Sequence, residues 1–439
     1  MENDTSIEVE QLLAETIELH SQGELSKAER GYQHLLQLKP QHPDALHLLG
    51  VIDHQLGNTD QGIERIQQSL AIHAEQPNAL NNLGNMLAET SRSAEAIAAY
   101  QRAIELAPDY APSHHNLGNV WAQVGKVPEA IASYRRALQL RPDDVETLLA
   151  LGGILERFGD FQDAVATFQQ VLTLQPDSIA AYSRLGAVFR KMRRLDDARG
   201  VYDQWLQQRP NDAVARHLRD ACDPSHAPDR ASADYVKSTF DSMAHEFETC
   251  LADLDYQVPE LLGNLLQKHL ASEARGGLRV ADLGCGTGLC VPYLRSWAQR
   301  LVGVDLSPLM LTEAATKDAY DELCETDLVD FLQSRPAQFD LLVAADTLLY
   351  LGDLQATFVA AAEALSQGGH LLFSVEKLAD EAQSADFQLS WTGRYQHSAS
   401  YLRQQLSAAG FELAELSEAP LRNEGNLPMA GLLVLATKS

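Results

Sequence analysis

The first half of the chain repeats a pattern of apolar and small residues every 34 positions. A leucine followed by a glycine marks each period, at Gly50, Gly84, Gly118, Gly152 and Gly186. Twelve positions after the glycine lies a small residue, and sixteen positions after it lies a large apolar one. A proline follows at position 24 in every unit except the second. The same columns continue for one further period before Gly50, so the pattern indicates six units.

This pattern predicts a helix–turn–helix unit. Small residues let two helices approach closely, and a proline ends the second helix because it cannot continue a helix interior. One unit cannot bury its apolar face alone, whereas six can do so by stacking. The columns resemble the tetratricopeptide repeat over about residues 9–212. Residues 213–222 fit a capping helix, so the first predicted domain is an α-solenoid at 9–222.

Asparagines recur on the first helix of two neighbouring units, in "NNLGNML" and "HNLGNVW". Asn82 and Asn116 are one period apart, as are Asn85 and Asn119. An amide both donates and accepts, so such a row can hold an extended peptide backbone. The row resembles the asparagine ladder of O-linked N-acetylglucosamine transferases. The alternative is that these side chains are solvated or bond locally between helices.

The repeat register fails after Pro210, and 223–233 carries two prolines and small polar residues, which predicts a linker. A helical pattern follows, with Phe240, Met243, Ala244 and Phe247 on one face. That helix either packs on the core of the next domain or covers its ligand.

From Leu278 onward, short apolar runs alternate with amphipathic stretches. Seven such runs predict strands, and helices between the early ones imply an open, mostly parallel Rossmann-like sheet. The predicted strands are at 278–283, 300–306, 320–327, 339–346, 369–376, 411–418 and 429–437. In sheets of this kind ligands bind beyond the carboxyl ends of the strands.

The glycine-rich stretch "VADLGCGTG" follows the first of these strands. It lacks the G-x-G-x-x-G spacing of a dinucleotide fold and the Lys-Ser/Thr of a P-loop. Asp305 ends the second strand, where a carboxylate can accept from both ribose hydroxyls. An adenosine with an uncharged or zwitterionic tail therefore fits better than a dinucleotide or a triphosphate.

The stretches "VADLGCGTG", "VGVDLS", "ETDLVDFL" and "FDLLVAADTLLYLGDL" resemble successive motifs of class I S-adenosylmethionine-dependent methyltransferases. The resemblance covers residues 234–439. More narrowly, "FDSMAHEFE" and "GRYQHSASY" resemble predicted methyltransferases that carry tetratricopeptide repeats. The resemblance implies S-adenosylmethionine as cofactor and assigns binding residues. These are Asp282, Gly284, Cys285, Gly286, Gly288, Asp305, Leu306, Asp327, Leu328, Ala345, Asp346, Tyr350, Phe240 and Phe247.

The acceptor side of this domain is less defined. The sequence "ADTLLY" replaces the (N/D)PPY of methyltransferases that act on amide nitrogen, and no acidic triad indicates a metal. The polar stretch 392–401 follows the fifth strand and holds Arg394, Tyr395 and His397, which we interpret as substrate contacts. His397 is a candidate general base. The alternative is a loop held by its own hydrogen bonds.

Charge and composition exclude several partners. The chain has 61 Asp and Glu against 34 Lys and Arg, a net charge of -27, and both halves are acidic. Nucleic acid and anionic membranes are therefore not expected partners. The N-terminus shows no signal peptide, and five cysteines without metal spacing fit a reducing cytoplasm.

The sequence favours a cytoplasmic methyltransferase whose repeat groove binds a protein or peptide. Three alternatives stay open: a repeat scaffold that binds the cofactor without catalysis, a methyltransferase for a small metabolite, and a nicotinamide-dependent dehydrogenase. The methyl acceptor and the oligomeric state are not indicated.

Overall fold

The computed structural model describes residues 2–223, 227–270, 274–379, 385–424 and 427–439. The chain divides into two compact units, Met1–Val188 and Phe189–Ser439. The sequence placed the division after residue 222, so the second unit begins earlier than predicted. Arg190 and His217 account for the difference, because both hydrogen-bond to residues of the α/β domain. Residues 224–226 of the predicted linker lie outside the described residues.

Consecutive helices build the first unit, and the last of them continues past Val188 into the second unit. They are α1 (Glu2–Ser21), α2 (Leu25–Leu38), α3 (Pro43–Gln55), α4 (Thr59–Ile72), α5 (Pro77–Glu89), α6 (Ser93–Leu106), α7 (Ala111–Gln123), α8 (Val127–Leu140), α9 (Val145–Phe158), α10 (Phe161–Leu174) and α11 (Ile179–Lys191). Each pair corresponds to one sequence period, which confirms the predicted solenoid. Its proline column lies directly after the second helices, as at Pro108 after Leu106.

The glycine column makes room for the large apolar column within each pair. A Cβ on Gly84 would lie 2.5 Å from the ring of Tyr100, and one on Gly152 would lie 2.5 Å from the ring of Phe168. Both rings are buried. One contact therefore recurs every 34 residues: a ring on the second helix of each pair packs against the glycine backbone of the first helix.

The second unit contains helices and a sheet. Its helices are α12 (Leu195–Gln208), α13 (Ala213–Asp220), α14 (Ala233–Asp241), α15 (Phe247–Asp253), α16 (Val258–His269), α17 (Val291–Leu294), α18 (Pro308–Ala315), α19 (Leu328–Gln333), α20 (Gln355–Ala364) and α21 (Ala399–Ala408). Its strands are β1 (Leu278–Leu283), β2 (Ala298–Asp305), β3 (Glu322–Glu325), β4 (Phe339–Ala344), β5 (Leu365–Lys377), β6 (Phe387–Leu389), β7 (Tyr395–His397), β8 (Phe411–Glu424) and β9 (Leu427–Lys438).

The strands form one sheet in the order β3-β2-β1-β4-β5-β7-β6, and the first five of these run parallel. Strand β9 pairs antiparallel with β5 and β8. The chain order reverses between β1 and β4, which is the topological switch point where ligands bind in such sheets. The Rossmann-like fold class is confirmed.

Successive residues of the inner strands enter different cores, because side chains alternate between the two faces of a strand. Leu342 and Phe373 belong to one buried cluster, which α20 and α21 cover. Leu341 and Leu372 belong to a second cluster, which α16 covers. Helices therefore cover both faces of the sheet, which explains the nearly continuous apolar runs of the sequence.

Strands β6 and β7 are additional to the seven predicted strands. They pair with each other, and β7 also pairs with the end of β5 through Glu376 and Lys377. The predicted polar loop at 392–401 therefore contains a strand and the start of α21. Among the described residues, no helix is both long enough and apolar enough to span a membrane.

Candidate functional site

The glycine loop turns sharply at the carboxyl end of β1. Gly284, Gly286 and Gly288 have φ angles of 69°, 54° and 88°, a region that glycine adopts without strain. The backbone N–H groups of Gly284 and Cys285 both donate to the carbonyl of Val304, at 2.7 and 2.9 Å. A Cβ on Gly284 would lie 2.3 Å from Oγ1 of Thr347, so a side chain there is excluded.

Asp305 connects this loop to the end of β2. Its carboxylate accepts from the N–H of Gly286 and from the N–H of Ser307, both at 2.9 Å. Burial raises the pKa of Asp305, while these backbone hydrogen bonds oppose that shift. A carboxylate has about four acceptor positions, so about two remain for hydroxyl groups of a ligand.

Asp282 lies beneath the loop as the penultimate residue of β1. Its side chain is 1% exposed and accepts a hydrogen bond of 2.7 Å from the hydroxyl of Tyr320. Burial raises the pKa of Asp282 to about 7, and the negative charge of Asp305 adds to the rise. A cation bound nearby would favour the ionised carboxylate.

A covering segment, defined as residues 227–253, packs against the loop. The ring of Phe240 lies 5.9 Å from that of Phe247 and 5.5 Å from that of Tyr350, in both cases edge-on. Phe247 approaches to 3.7 Å from the Cβ position of Gly286. The structure thus brings together Phe240, Phe247, Tyr350 and the glycine loop, which are spread over residues 240–350 of the sequence.

Polar contacts also hold the covering segment. Glu248 accepts from the hydroxyl of Thr287 at 2.8 Å and pairs with Lys317 at 2.7 Å. Arg230 pairs with Asp327, whose other oxygen caps α19 through the N–H of Val329 at 2.9 Å. Asp327 and the half-buried Leu328 therefore follow β3 as predicted, but Asp327 already has two partners. The equivalent leucine after β2, Leu306, is half-buried beside Asp305.

Ala345 and Asp346 follow β4, and Asp346 takes a left-handed φ of 50°. The hydroxyl of Ser374 accepts from the N–H of Asp346 and donates to its carboxylate, both at 2.9 Å. Arg422 of β8 also donates to this carboxylate at 2.6 Å and pairs with Glu376 of β5. Arg422 is 3% exposed and Glu376 is fully buried.

The sequence did not single out Arg422, Glu376 or Ser374. Ser374 meets Asp346 because β5 pairs directly with β4. Arg422 reaches Asp346 and Glu376 because β9 brings β8 into the same sheet beside β5. Their one sequence signal is a charged residue inside a strand that is otherwise apolar, as in "LLFSVE". Buried charges are paired, so Glu376 in that run predicts a partner without naming it.

The structure buries two of the three predicted substrate contacts, His397 and Tyr395, and leaves the third, Arg394, half-buried. His397 is fully buried, and its Nε2 lies 3.0 Å from the carbonyl oxygen of Gly352. Burial lowers the pKa of His397 to about 4. Tyr395 is also buried and donates to the carbonyl of Pro228 at 2.6 Å, while Arg394 pairs with Glu376 at 3.7 Å. A general base has to reach the proton that it removes, so this burial argues against a catalytic His397.

The asparagines of the repeat groove bond partly to one another. Nδ2 of Asn116 donates to Asn85 at 2.9 Å, and Nδ2 of Asn82 lies 2.9 Å from Nε2 of His47. Tyr100 and Tyr134 donate to Asn85 and Asn119, respectively, at 2.7 Å. The local bonding that the sequence left as an alternative is therefore present. In the described part of the chain, Nδ2 of Asn85 makes no hydrogen bond.

A concave pocket with a volume of about 250 Å³ opens beside these residues on the first helices of the repeats. Leu149, Gly153, Ile154 and Arg157 of α9 line it. A Cβ on Gly153 would meet no atom within 4 Å, so this position faces open space. The groove therefore offers a pocket lined by apolar side chains and arginines, together with the amide donor of Asn85.

Family models match both parts of the chain. A methyltransferase domain model matches residues 281–373, which run from β1 into β5 and include the glycine loop. Tetratricopeptide repeat models match residues 41–109, 75–143, 115–179 and 155–222. The last match ends at the residue predicted to close the solenoid.

Individual relatives share parts of the second unit. The chain is 27% identical over 187 residues to a ubiquinone biosynthesis O-methyltransferase of Azorhizobium caulinodans, covering 37% of this chain and 72% of the relative. It is 33% identical over 72 residues to an 18S rRNA (guanine-N(7))-methyltransferase of Bos taurus, covering 16% of this chain and 26% of that protein. A solved S-adenosylmethionine dependent methyltransferase from Mesorhizobium loti covers 40% of this chain and 96% of its own at 25% identity, with a TM-score of 0.34.

The two sequence relatives are named for different acceptors, so they agree on methyl transfer and not on its target. The matched domain model spans the switch point of the sheet, where the glycine loop and Asp305 lie. The chain therefore joins an array of tetratricopeptide repeats to a methyltransferase domain of the S-adenosylmethionine-dependent class.

Proposed function

We propose that the protein is an S-adenosylmethionine-dependent methyltransferase in the cytoplasm whose repeat solenoid recruits a protein substrate or partner. The observation that carries the proposal is the seat formed by the glycine loop and Asp305 at the switch point of the sheet. Its carboxylate is fixed by two backbone N–H groups and keeps acceptor positions. The positive φ angles of the loop let the backbone approach a ligand closely.

Each part of the seat has a role in this proposal. Asp305 accepts from the ribose hydroxyls, and Asp282 holds the amino end of the cofactor beneath the loop. Leu306 and Leu328 pack on the adenine, and Phe240 and Phe247 cover it. Bound S-adenosylmethionine supplies a methyl group that is already activated as a sulfonium. The protein then needs to orient the acceptor near Ala345 and Asp346 and to exclude water.

Asp327 fits the cofactor less directly than Asp305. Its carboxylate is the proposed acceptor for the adenine amino group, yet it pairs with Arg230 of the covering segment. A carboxylate can accept several hydrogen bonds, so an adenine amino group can join Arg230 rather than replace it.

The solenoid supports recruitment of a protein through its groove. The free amide donor of Asn85 suits a peptide backbone. The pocket around Gly153, which apolar side chains and two arginines line, suits one side chain of the peptide. All five cysteines are free thiols, which fits the reducing conditions of the cytoplasm.

A small-molecule acceptor is the second candidate. The similarity to a ubiquinone biosynthesis O-methyltransferase favours it, since that alignment spans 187 residues and 72% of the relative. In that case the solenoid would bind a partner rather than the substrate.

The test uses cofactor labelled in the methyl group, purified full-length protein and lysate of the cells that encode it. We expect label to enter protein with the wild type and to be lost with Asp305→Ala. Gly153→Trp fills the groove pocket and should reduce protein labelling. Gly200→Trp on α12 is the matched control, because its Cβ also meets nothing within 4 Å.

Each other outcome selects a different function. Label in small molecules only supports the second candidate. No label in any fraction, although the protein binds the cofactor, supports the scaffold. Equal labelling by Gly153→Trp and the wild type contradicts recruitment through the groove.

A further inference from the structure

The turn at residues 390–393 contacts Arg190, Arg193 and His217 near the end of the repeat array, and all these residues belong to the second unit. Nη1 of Arg190 donates to the carbonyl of Trp391 at 2.7 Å. The guanidinium of Arg193 lies 4.2 Å from the centre of the Trp391 ring. Nε2 of His217, on α13, lies 2.8 Å from the carbonyl oxygen of Gly393. The segment that the sequence suggested for substrate thus contacts the repeats instead.

His217 also stacks on the first helix of the covering segment. Its ring lies 3.9 Å from that of Tyr235 on α14, at an interplanar angle of 24°. Gly393 has a φ of 88°, and a Cβ there would lie 3.2 Å from Leu218 and from the hydroxyl of Tyr235. Burial lowers the pKa of His217, so a neutral ring donates to the carbonyl of Gly393. This junction is closely packed and fixes α14 against α13.

Further ring contacts lead from Tyr235 to the cofactor seat. Tyr235 lies 6.5 Å from Tyr350, which lies 5.5 Å from Phe240, which lies 5.9 Å from Phe247. The backbone follows the same course, since the N–H of Ala231 donates to the carbonyl of Tyr350 at 2.9 Å. Continuous packing therefore joins the capping helix to the rings above the glycine loop.

We propose that His217 of the capping helix is a positioning residue for the cofactor, acting through Tyr235 on the covering segment. The proposal rests on the function proposed above and extends it, because it makes cofactor affinity depend on the end of the repeat array. Without the His217 stack and its hydrogen bond, α14 can shift and Phe240 is no longer held over the seat. A partner that moves α13 would change cofactor affinity in the same way.

The test measures S-adenosylmethionine binding to the full-length protein by calorimetry. His217→Ala should weaken binding by about three- to tenfold, since a stacked ring pair and a buried hydrogen bond each contribute on that scale. His114→Ala is the matched control, because Nε2 of His114 also lies 2.9 Å from a backbone carbonyl oxygen, that of Pro108, in the solenoid. Its binding should stay within about twofold of the wild type.

A double-mutant cycle with Phe240→Ala separates positioning from general stability. If His217 acts through the covering segment, the two losses of affinity are less than additive. Arg193→Ala is a milder second variant, because it removes only the cation–π contact to Trp391. We expect a smaller loss of affinity in the same direction.

Three results would overturn the proposal. These are unchanged affinity in both His217→Ala and Arg193→Ala, additive losses in the cycle, and no loss with Phe240→Ala. A wild type that does not bind S-adenosylmethionine contradicts the proposed function instead, so the two failures are distinguishable.

Discussion

Arg422 is the residue on which the acceptor side of the site depends most. It is buried and neutralises two carboxylates, those of Asp346 and Glu376. An unpaired charge in the interior costs far more than an exposed one. Asp346 also has a left-handed backbone, and its carboxylate is held in place by hydrogen bonds that Arg422 and Ser374 donate.

Arg422→Met should therefore destabilise the protein by about 3–5 kcal/mol, because it leaves the buried carboxylate of Glu376 and the half-buried one of Asp346 without this partner. Chemical denaturation of the second-unit transition measures the effect. Arg403→Met on α21 is the control, since Arg403 is exposed and should change stability by less than about 0.5 kcal/mol. Equal stability of the two variants would contradict this role of Arg422.

Asp282 should make cofactor binding depend on pH. Its raised pKa of about 7 means that the folded protein without cofactor holds a proton that the unfolded chain has lost, so stability falls as pH rises from about 4 to about 7. A cationic cofactor favours the ionised form, so affinity should rise between about pH 6 and pH 8.

Calorimetry in buffers of different ionisation enthalpy checks this directly. The wild type should release a proton on binding near pH 7, and Asp282→Asn should release none. Affinity that is independent of pH in the wild type would count against a protonated Asp282.

Among individual residues, the sequence predicted those site residues that lie close to one another along the chain. The loop from Gly284 to Gly288 follows β1 directly, and Asp305 ends the next strand. Arg422 could not be found in this way, because its contacts depend on how β8, β9 and β5 pair. Ser374 could not be found either, because its contact with Asp346 depends on the pairing of β5 with β4. His397 was predicted as a general base because it lies in a polar stretch, and its burial depends on the pairing of β7 with β5 and β6.

Among the elements, α9 shows how the repeat works. It carries two adjacent glycines, Gly152 and Gly153, which face different surroundings. Gly152 lies against the ring of Phe168 on α10, whereas Gly153 faces the groove. Packing against Phe168 therefore requires a glycine at position 152, whereas no contact requires one at position 153.

Gly152→Ala should destabilise the solenoid by about 1–3 kcal/mol, because its methyl group overlaps a buried ring. Gly153→Ala should stabilise it by about 0.5–1 kcal/mol, because alanine loses less conformational entropy in a helix. Thermal unfolding followed by circular dichroism compares the two. The same sign of change in both variants would contradict the packing explanation of the glycine column.

The elements with a strong period were predicted and the shortest were not. The solenoid helices repeat every 34 residues, and the apolar runs of β1, β2, β4 and β5 stand out in the sequence. Strands β6 and β7 have three residues each, too few for an alternating pattern. The long pairing partner β5 determines that β7 is a strand, which local sequence does not reveal.

In the whole molecule, the boundary between repeats and α/β domain that the sequence pattern indicates differs from the boundary between the two packed units. The repeat register ends near residue 212, yet the second unit begins at Phe189. The sequence period identifies the residues that belong to one repeat. It does not identify the surface against which the last repeat packs. The contacts of Arg190, Arg193 and His217 therefore could not be predicted from the register.

The net charge of -27 also belongs to this scale. A strongly acidic surface repels polyanions and attracts cationic ligands over a Debye length of about 8–10 Å. S-Adenosylmethionine carries a sulfonium, so its association with the seat should slow moderately as salt rises. Stopped-flow binding between low and high salt measures this, and a rate that rises with salt would contradict it.

The most direct test of the account is the binding of S-adenosylmethionine to the full-length protein, measured by calorimetry beside Asp305→Ala and with NAD as a competing ligand. We expect one site with an affinity on the order of micromolar, typical of enzyme–substrate recognition. We also expect loss of binding in Asp305→Ala and no competition by NAD. Tighter binding of NAD, or equal binding of S-adenosylmethionine by Asp305→Ala and the wild type, would contradict a cofactor site at the glycine loop and Asp305.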